Sequence, residues 1–257
     1  MNTAHDSGRD GKKTIIPSGS NNWGGYALNA SNAGTITEVT GEWHIPEVVC
    51  SEQSGVAWQV DWIGIDGWSS NTVEQVGSSE FCSAPGATPS YTLWYEFAPY
   101  EPLQNVSTVA AGAAIVGTVS YNPSLCYGST CGAYTLQEID LNDGAADFVY
   151  QGVPTTCDSS GCQTGPDQSA ECISEAPLVS YGVEFQLAHY TTTTFYYCSA
   201  TVAGHFAGIG SLPASVGKLY EITTYGHITD NVIQSTGGLK TFHDGKSEFV
   251  VTWKGYD

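Results

Sequence analysis

The chain has 257 residues, with 7 Lys+Arg against 26 Asp+Glu and a formal net charge of −19 at pH 7. That balance excludes a nucleic-acid partner held by phosphate contacts, and 41% hydrophobic with 12% aromatic residues excludes a disordered chain. No run is apolar for long enough to form a transmembrane helix, so no membrane partner is expected.

Only 13% of the residues are charged, and most of that charge is carboxylate. With every carboxyl protonated, 7 Lys+Arg and 6 His hold the net charge at or below +13, so self-repulsion in acid stays limited. The composition suits an acid-exposed protein.

Residues 1–20 are polar and carry Arg9, Lys12 and Lys13, three of the seven basic residues. They read as a tail or propeptide remnant ahead of one domain, 21–257, with Lys12 or Lys13 able to occupy an acidic cleft before activation. From Trp23 onward the pattern is strand after strand. Residues 57–63 alternate bulky apolar with polar side chains, and 91–97 carry aromatics on both faces. Further strands are expected at 35–45, 113–121, 133–140, 146–151, 168–175, 181–189, 194–203, 218–225 and 247–254, between Gly, Pro, Ser, Asn and Asp clusters. Many short strands and no helical stripe predict an all-β sandwich or jelly roll of about the size one such domain reaches.

Eight cysteines, none in C-x-x-C, point to an oxidising compartment and up to four disulfides. The spacings favour Cys126 with Cys131 and Cys157 with Cys162, which leaves Cys50 with Cys82 and Cys172 with Cys198 among the pairings open to the rest. Zinc on the two C-x-x-x-x-C pairs is the less favoured reading. The 6 His lack ligand spacing, and no metal or other cofactor is expected.

The G-x-S-x-G elbow, H-E-x-x-H, the phosphate loop and the dinucleotide fingerprint are all missing. What remains is carboxylate and amide chemistry in two segments, Val73-Glu74-Gln75-Val76-Gly77 and Ala170-Glu171-Cys172-Ile173-Ser174-Glu175-Ala176-Pro177. If 170–175 is a strand, Glu171, Ile173 and Glu175 share a face. Two acids on one face invite a cleft; a solvated face is the plain alternative.

In order along the chain, Ser20-Asn21-Asn22-Trp23-Gly24-Gly25-Tyr26, residues 39–46, Trp62-Ile63-Gly64-Ile65-Asp66-Gly67, Val73 to Gly77, residues 91–97 and Ala170 to Pro177 resemble the glutamic peptidases, or eqolisins. The resemblance implies a secreted acid endopeptidase on a concanavalin A-like sandwich of two antiparallel sheets, acting on polypeptides as a monomer outside the cell. By position it puts the family's glutamine on Gln75 and its catalytic glutamate on Glu175. It places Trp62, Asp66, Trp94 and Glu96, with Glu171, along the substrate cleft or in its support. Cys172 stands where the family has an aromatic, Thr92 where many members have Asp, and Asp61 where a small residue is usual. Residues 122–167 form a long cysteine-bearing insert. These departures bear on subsite preference and pH dependence rather than on the pair.

The chemistry follows from the side chains. A glutamate near its ordinary pKa of about 4.3 can take a proton from an attacking water and return it to the leaving nitrogen. A primary amide never ionises in this range and offers both an acceptor and donors. Two rivals remain: a jelly-roll glycoside hydrolase using Glu96 and Glu175, which would not need Gln75, and a carbohydrate-binding, lectin-like module using the aromatics alone.

Overall fold

Alternating side chains and β-branched or aromatic residues make strand of most of the chain. The computed structural model describes residues 14–256 apart from 100, 128–129, 154–156, 159–160, 163–164, 180–182, 227–228 and 243. Arg9, Lys12 and Lys13 therefore lie outside the described residues. The strands begin with β1 (Ile15–Ser20), β2 (Trp23–Ala30), β3 (Ile36–His44), β4 (Ala57–Ile65) and β5 (Val73–Cys82). Next come β6 (Ser90–Ala98), β7 (Glu101–Thr108), β8 (Ala114–Tyr127), β9 (Thr130–Asp140) and β10 (Phe148–Gly152). Two short pairs, β11 (Cys157–Asp158) with β12 (Gly161–Cys162) and β14 (Leu178–Val179) with β15 (Val183–Glu184), flank β13 (Ser169–Glu175). The chain ends in β16 (Gln186–Leu187), β17 (Thr192–Val202), β18 (His205–Gly208), β19 (Gly217–Tyr225), β20 (Val232–Thr236), β21 (Lys240–Thr241) and β22 (Ser247–Trp253).

Their pairings give two sheets. One runs β7-β6-β5-β4-β13-β2-β19, antiparallel throughout, with β1 added in parallel at β19. The other runs β10-β9-β8-β3-β17-β22-β20, also antiparallel. Strand β20 pairs with β19 as well and joins the sheets along one border. Between them lies the main core, with Trp43, Phe195 and Phe249 from the second sheet against Tyr26, Ile63 and Val76 from the first. This is the β-sandwich expected from the sequence.

Two expectations change. Residues 15–20 are a strand of the sheet rather than tail, held by backbone pairing from Ile15↔Leu219 to Ser20↔Thr224. Ile-Ile-Pro-Ser-Gly-Ser has no alternation to announce this, and Pro17 is tolerated because β1 is an edge. Of the strand expected at 181–189, the described residues 183–189 contribute the short β15 and β16 rather than one long strand.

Disulfides join Cys50 to Cys82, Cys126 to Cys131 and Cys172 to Cys198. The backbone sets Cys157 opposite Cys162, though their side chains lie outside the described residues. Cys172–Cys198 ties β13 to β17, one strand from each sheet. Replacing both cysteines by alanine is expected to cost about 3–4 kcal/mol, from the loop of 26 residues that the bond closes. The denaturant midpoint should fall accordingly; an unmoved midpoint would show that the staple contributes nothing.

The interior also holds carboxyls. Asp61, Glu74, Glu80, Glu138 and Glu171 are fully or almost fully buried, and no Lys, Arg or His is among the buried described residues. Asp61 Oδ2 accepts from Gln59 Nε2 at 3.0 Å and Thr193 Oγ1 at 2.9 Å. The carboxyls of Glu74, Glu80, Glu138 and Glu171 have only weak donors nearby, such as Ser78 beside Glu80 and Ser169 beside Glu171, and these do not offset their burial. Burial raises all five above the usual carboxylate range, Asp61 to about 7.

Candidate active site

The outer face of the first sheet presents three cross-strand rows, because paired residues point the same way. Glu175, Val60, Ser79 and Thr92 form one row; Ile173, Trp62, Gly77 and Trp94 form the next; Glu171, Gly64, Gln75 and Glu96 form the third. The glycines are spaces left for their neighbours. A Cβ at Gly77 would sit 2.7 Å from both Trp62 and Trp94, and one at Gly64 would crowd Trp62 and Gln75. The two indoles therefore fit into the row between the carboxyl and amide rows, in a cluster with Val60, Ile173 and Ile222.

Above this floor opens a cleft of about 370 Å³, whose lining includes Asn22, Trp23, Trp58, Gln75, Trp94, Glu96 and Glu175. Glu175 Oε2 accepts from Trp62 Nε1 at 2.7 Å, and its Oε1 accepts from Asn22 Nδ2 at 2.8 Å. Burial pushes the Glu175 carboxyl up to about 7, against the pull of the Trp62 and Asn22 donors and with a push from Glu96. Gln75 Nε2 donates to Glu96 Oε2 at 2.7 Å. Gln75 Oε1 is buried and has no partner among the described residues. Glu96 is raised by burial, which its bond from Gln75 partly offsets. Its neutral form still accepts through its carbonyl oxygen, so the amide stays oriented in acid.

Three candidate residues stand outside the cleft lining. Asp66 closes the turn after β4 at φ 70°, where Oδ2 and Oδ1 accept from the backbone of Asp167 and Gln168, each at 2.9 Å. It supports the turn and does not line the cleft. Glu171 shares the face of Glu175 as the period-two reading requires, but it is fully buried and outside the cleft lining. Trp62 is likewise fully buried and outside the cleft lining, and it meets the site through its Nε1 bond to Glu175, while Trp94 and Glu96 line the cleft. Asn22, Trp23 and Trp58 were not assigned roles from the sequence. The first two lie in the Ser20–Tyr26 motif, and Trp58 begins an alternating strand, so their aromatic and amide chemistry was the available signal.

A larger hollow of about 940 Å³ opens between residues 105–113 and 140–146, away from both Gln75 and Glu175. Among the described residues no set of three or more His, Cys, Asp or Glu is arranged to hold a metal ion.

The sequence model of the Peptidase A4 family matches residues 21–241. No curated protein matches the chain. Among solved structures, scytalidoglutamic peptidase crystallised with a peptide-based transition-state analogue superposes with a TM-score of 0.64 at 21% identity, covering 91% of this chain and 99% of that one. Aspergilloglutamic peptidase from Aspergillus niger superposes with a TM-score of 0.52 at 22% identity, over 77% of this chain and 99% of that one. At such identities the superpositions speak for the fold, while the family match spans both segments that line the cleft. The glycosidase and lectin alternatives give way, and the chain belongs to the Peptidase A4 family, the glutamic endopeptidases.

Proposed function

We propose that Gln75 and Glu175 hydrolyse peptide bonds of extended polypeptides bound across the cleft, and the observation that carries this is the buried, unpartnered Gln75 Oε1 in the same cleft as Glu175. In register the pair is diagonal, two same-face positions apart along the strands and on β13 and β5 with β4 and its Trp62 between them, and both side chains line the cleft where a water and a peptide carbonyl would have to sit. Gln75 Oε1 accepts one hydrogen of the water. Ionised Glu175 takes the other proton as the water oxygen bonds to the carbonyl carbon. One Gln75 N–H is held by Glu96, and the second donates to the oxygen that becomes negative. Glu175 then passes its proton to the amide nitrogen, the C–N bond breaks, and a carboxylic acid and an amine leave. The scheme forms no covalent intermediate. Trp23, Trp58 and Trp94 supply flat apolar walls for the substrate.

A monomer secreted into an acidic medium fits the composition and disulfides, with residues 1–13 as the segment that a propeptide reading would remove. Burial of Glu175 gives the scheme a pH signature. In the free enzyme the ionised base becomes commoner as pH rises toward 7, so the acidic limb of kcat/KM should lie above the ordinary glutamate value of about 4.3. A limb at or below that value, measured with a fluorogenic peptide, would contradict the role assigned to burial.

A further inference from the structure

Glu175 is held by two donors of different character. Trp62 is fully buried in the sheet, and its indole is fixed by its neighbours. Asn22 is half-buried in the bend between β1 and β2, and its side chain forms part of the cleft wall. What holds Asn22 is Ser20, the last residue of β1. Ser20 Oγ donates to Asn22 Oδ1 at 3.1 Å and accepts from the backbone N–H of Asn22 at 3.3 Å and Trp23 at 3.1 Å. An amide whose oxygen is taken by Ser20 must turn its N–H to Glu175. The same bend grips the strand end through its backbone, since Asn22 O accepts from Ala176 N at 3.0 Å. Residues 20–22 therefore clasp Glu175 by side chain and the residue after it by main chain.

We infer that Asn22 is a positioning residue for the general base, with Ser20 as its own anchor, and that this clasp sets both the orientation of Glu175 and the pH at which it can act. The inference rests on the reading of Glu175 as the base. A neutral donor on one carboxylate oxygen favours the ionised form, whereas Glu96, which faces Glu175 from β6, disfavours it. No other charged or titratable group lines the cleft among the described residues. Strand β2 presents Trp23, β4 presents Val60 and Trp62, β5 presents Gln75, and Pro177 follows the strand end. Asp61 and Glu80 point from β4 and β5 into the opposite face, and Glu171 is enclosed four residues back. The clasp also makes the end of β1 part of the active site, so any processing cut compatible with activity falls before Ser20.

The test is a set of kcat/KM profiles from pH 3 to 7 for the wild type and for Asn22→Ala, Ser20→Ala, Ser20→Thr and Glu175→Gln, each with a melting curve. For Asn22→Ala the acidic limb should move to higher pH, with kcat/KM at pH 3 lower by about tenfold and carried by kcat rather than KM. Ser20→Ala should move it the same way by less, and Ser20→Thr, which keeps the hydroxyl, should restore it. An Asn22→Ala profile that keeps its wild-type limb, with activity either unchanged or uniformly scaled, would overturn the inference. If Glu175→Gln retained activity, the reading of the base itself would fall instead, so the two failures are distinguishable.

Discussion

Raising the pH from 4 to 7 should cost this protein several kcal/mol of stability, and Asp61→Asn should recover a large part of it. Asp61 is fully buried with a carboxyl pushed up to about 7. In the unfolded chain the same group ionises near 3.9. Between these values the folded state holds a proton that the unfolded state has released, so stability is fully present below about pH 4 and is lost as pH rises through 7. Asp61 contributes in this direction as one member of an interacting buried pair with Glu80. Glu80, raised by burial and by Asp61, adds to it in the same direction, as do Glu74, Glu138 and Glu171. Protonated Asp61 and asparagine have nearly the same shape, and an asparagine carbonyl can accept from Gln59 and Thr193. Thermal unfolding of wild type and Asp61→Asn from pH 3 to 8 should give similar melting points in acid and a clear advantage for the variant at neutrality. A wild-type melting point that does not fall between pH 4 and 7 would refute this.

The second large effect concerns the amide. Gln75→Ala should lower kcat by about 10² to 10³ with little change in KM, because it removes the donor for the developing oxyanion. It also removes the acceptor for the water and leaves Glu96 without its amide partner in the cleft. Single-turnover rates on a fluorogenic peptide would check it. A rise in KM with kcat intact would mean that Gln75 binds substrate rather than its transition state.

These effects meet in the pH dependence. If Glu175 is the base as proposed, its ionisation favours higher pH while the buried carboxyls favour lower pH, and the two together are expected to hold activity on the acid side of neutrality. The low total charge makes the acid side hospitable, since net positive charge cannot become dense there.

Much of this was legible in the sequence because the sheet obeys its period. The alternation at 57–63 and 91–97 appears as β4 and β6, and the 170–175 stretch carries Glu171 and Glu175 on one face as β13. Strand β7 was not legible, because Glu101-Pro102-Leu103-Gln104-Asn105 has a proline and lies at a sheet edge, where pairing on one side suffices. Strand β1 was hidden in the same way. The depth of Asp66 and Glu171 was also invisible, since acids usually stay in water; only the fold shows Asp66 capping two backbone N–H groups. Asn22 was written in a quoted motif, yet its partner lies 153 residues away. No spacing rule reaches that far.

The measurement that tests the central claim most directly is cleavage of an acid-unfolded protein at about pH 4 to 5, with the new termini read by mass spectrometry, by wild type beside Glu175→Gln. Removing the general base while keeping the shape and the acceptor for Trp62 should lower the rate by about 10² to 10⁴ in a variant that melts like the wild type. Cleavage at wild-type rate by folded Glu175→Gln would contradict the assignment of Glu175 and with it the mechanism built on the Gln75 and Glu175 pair.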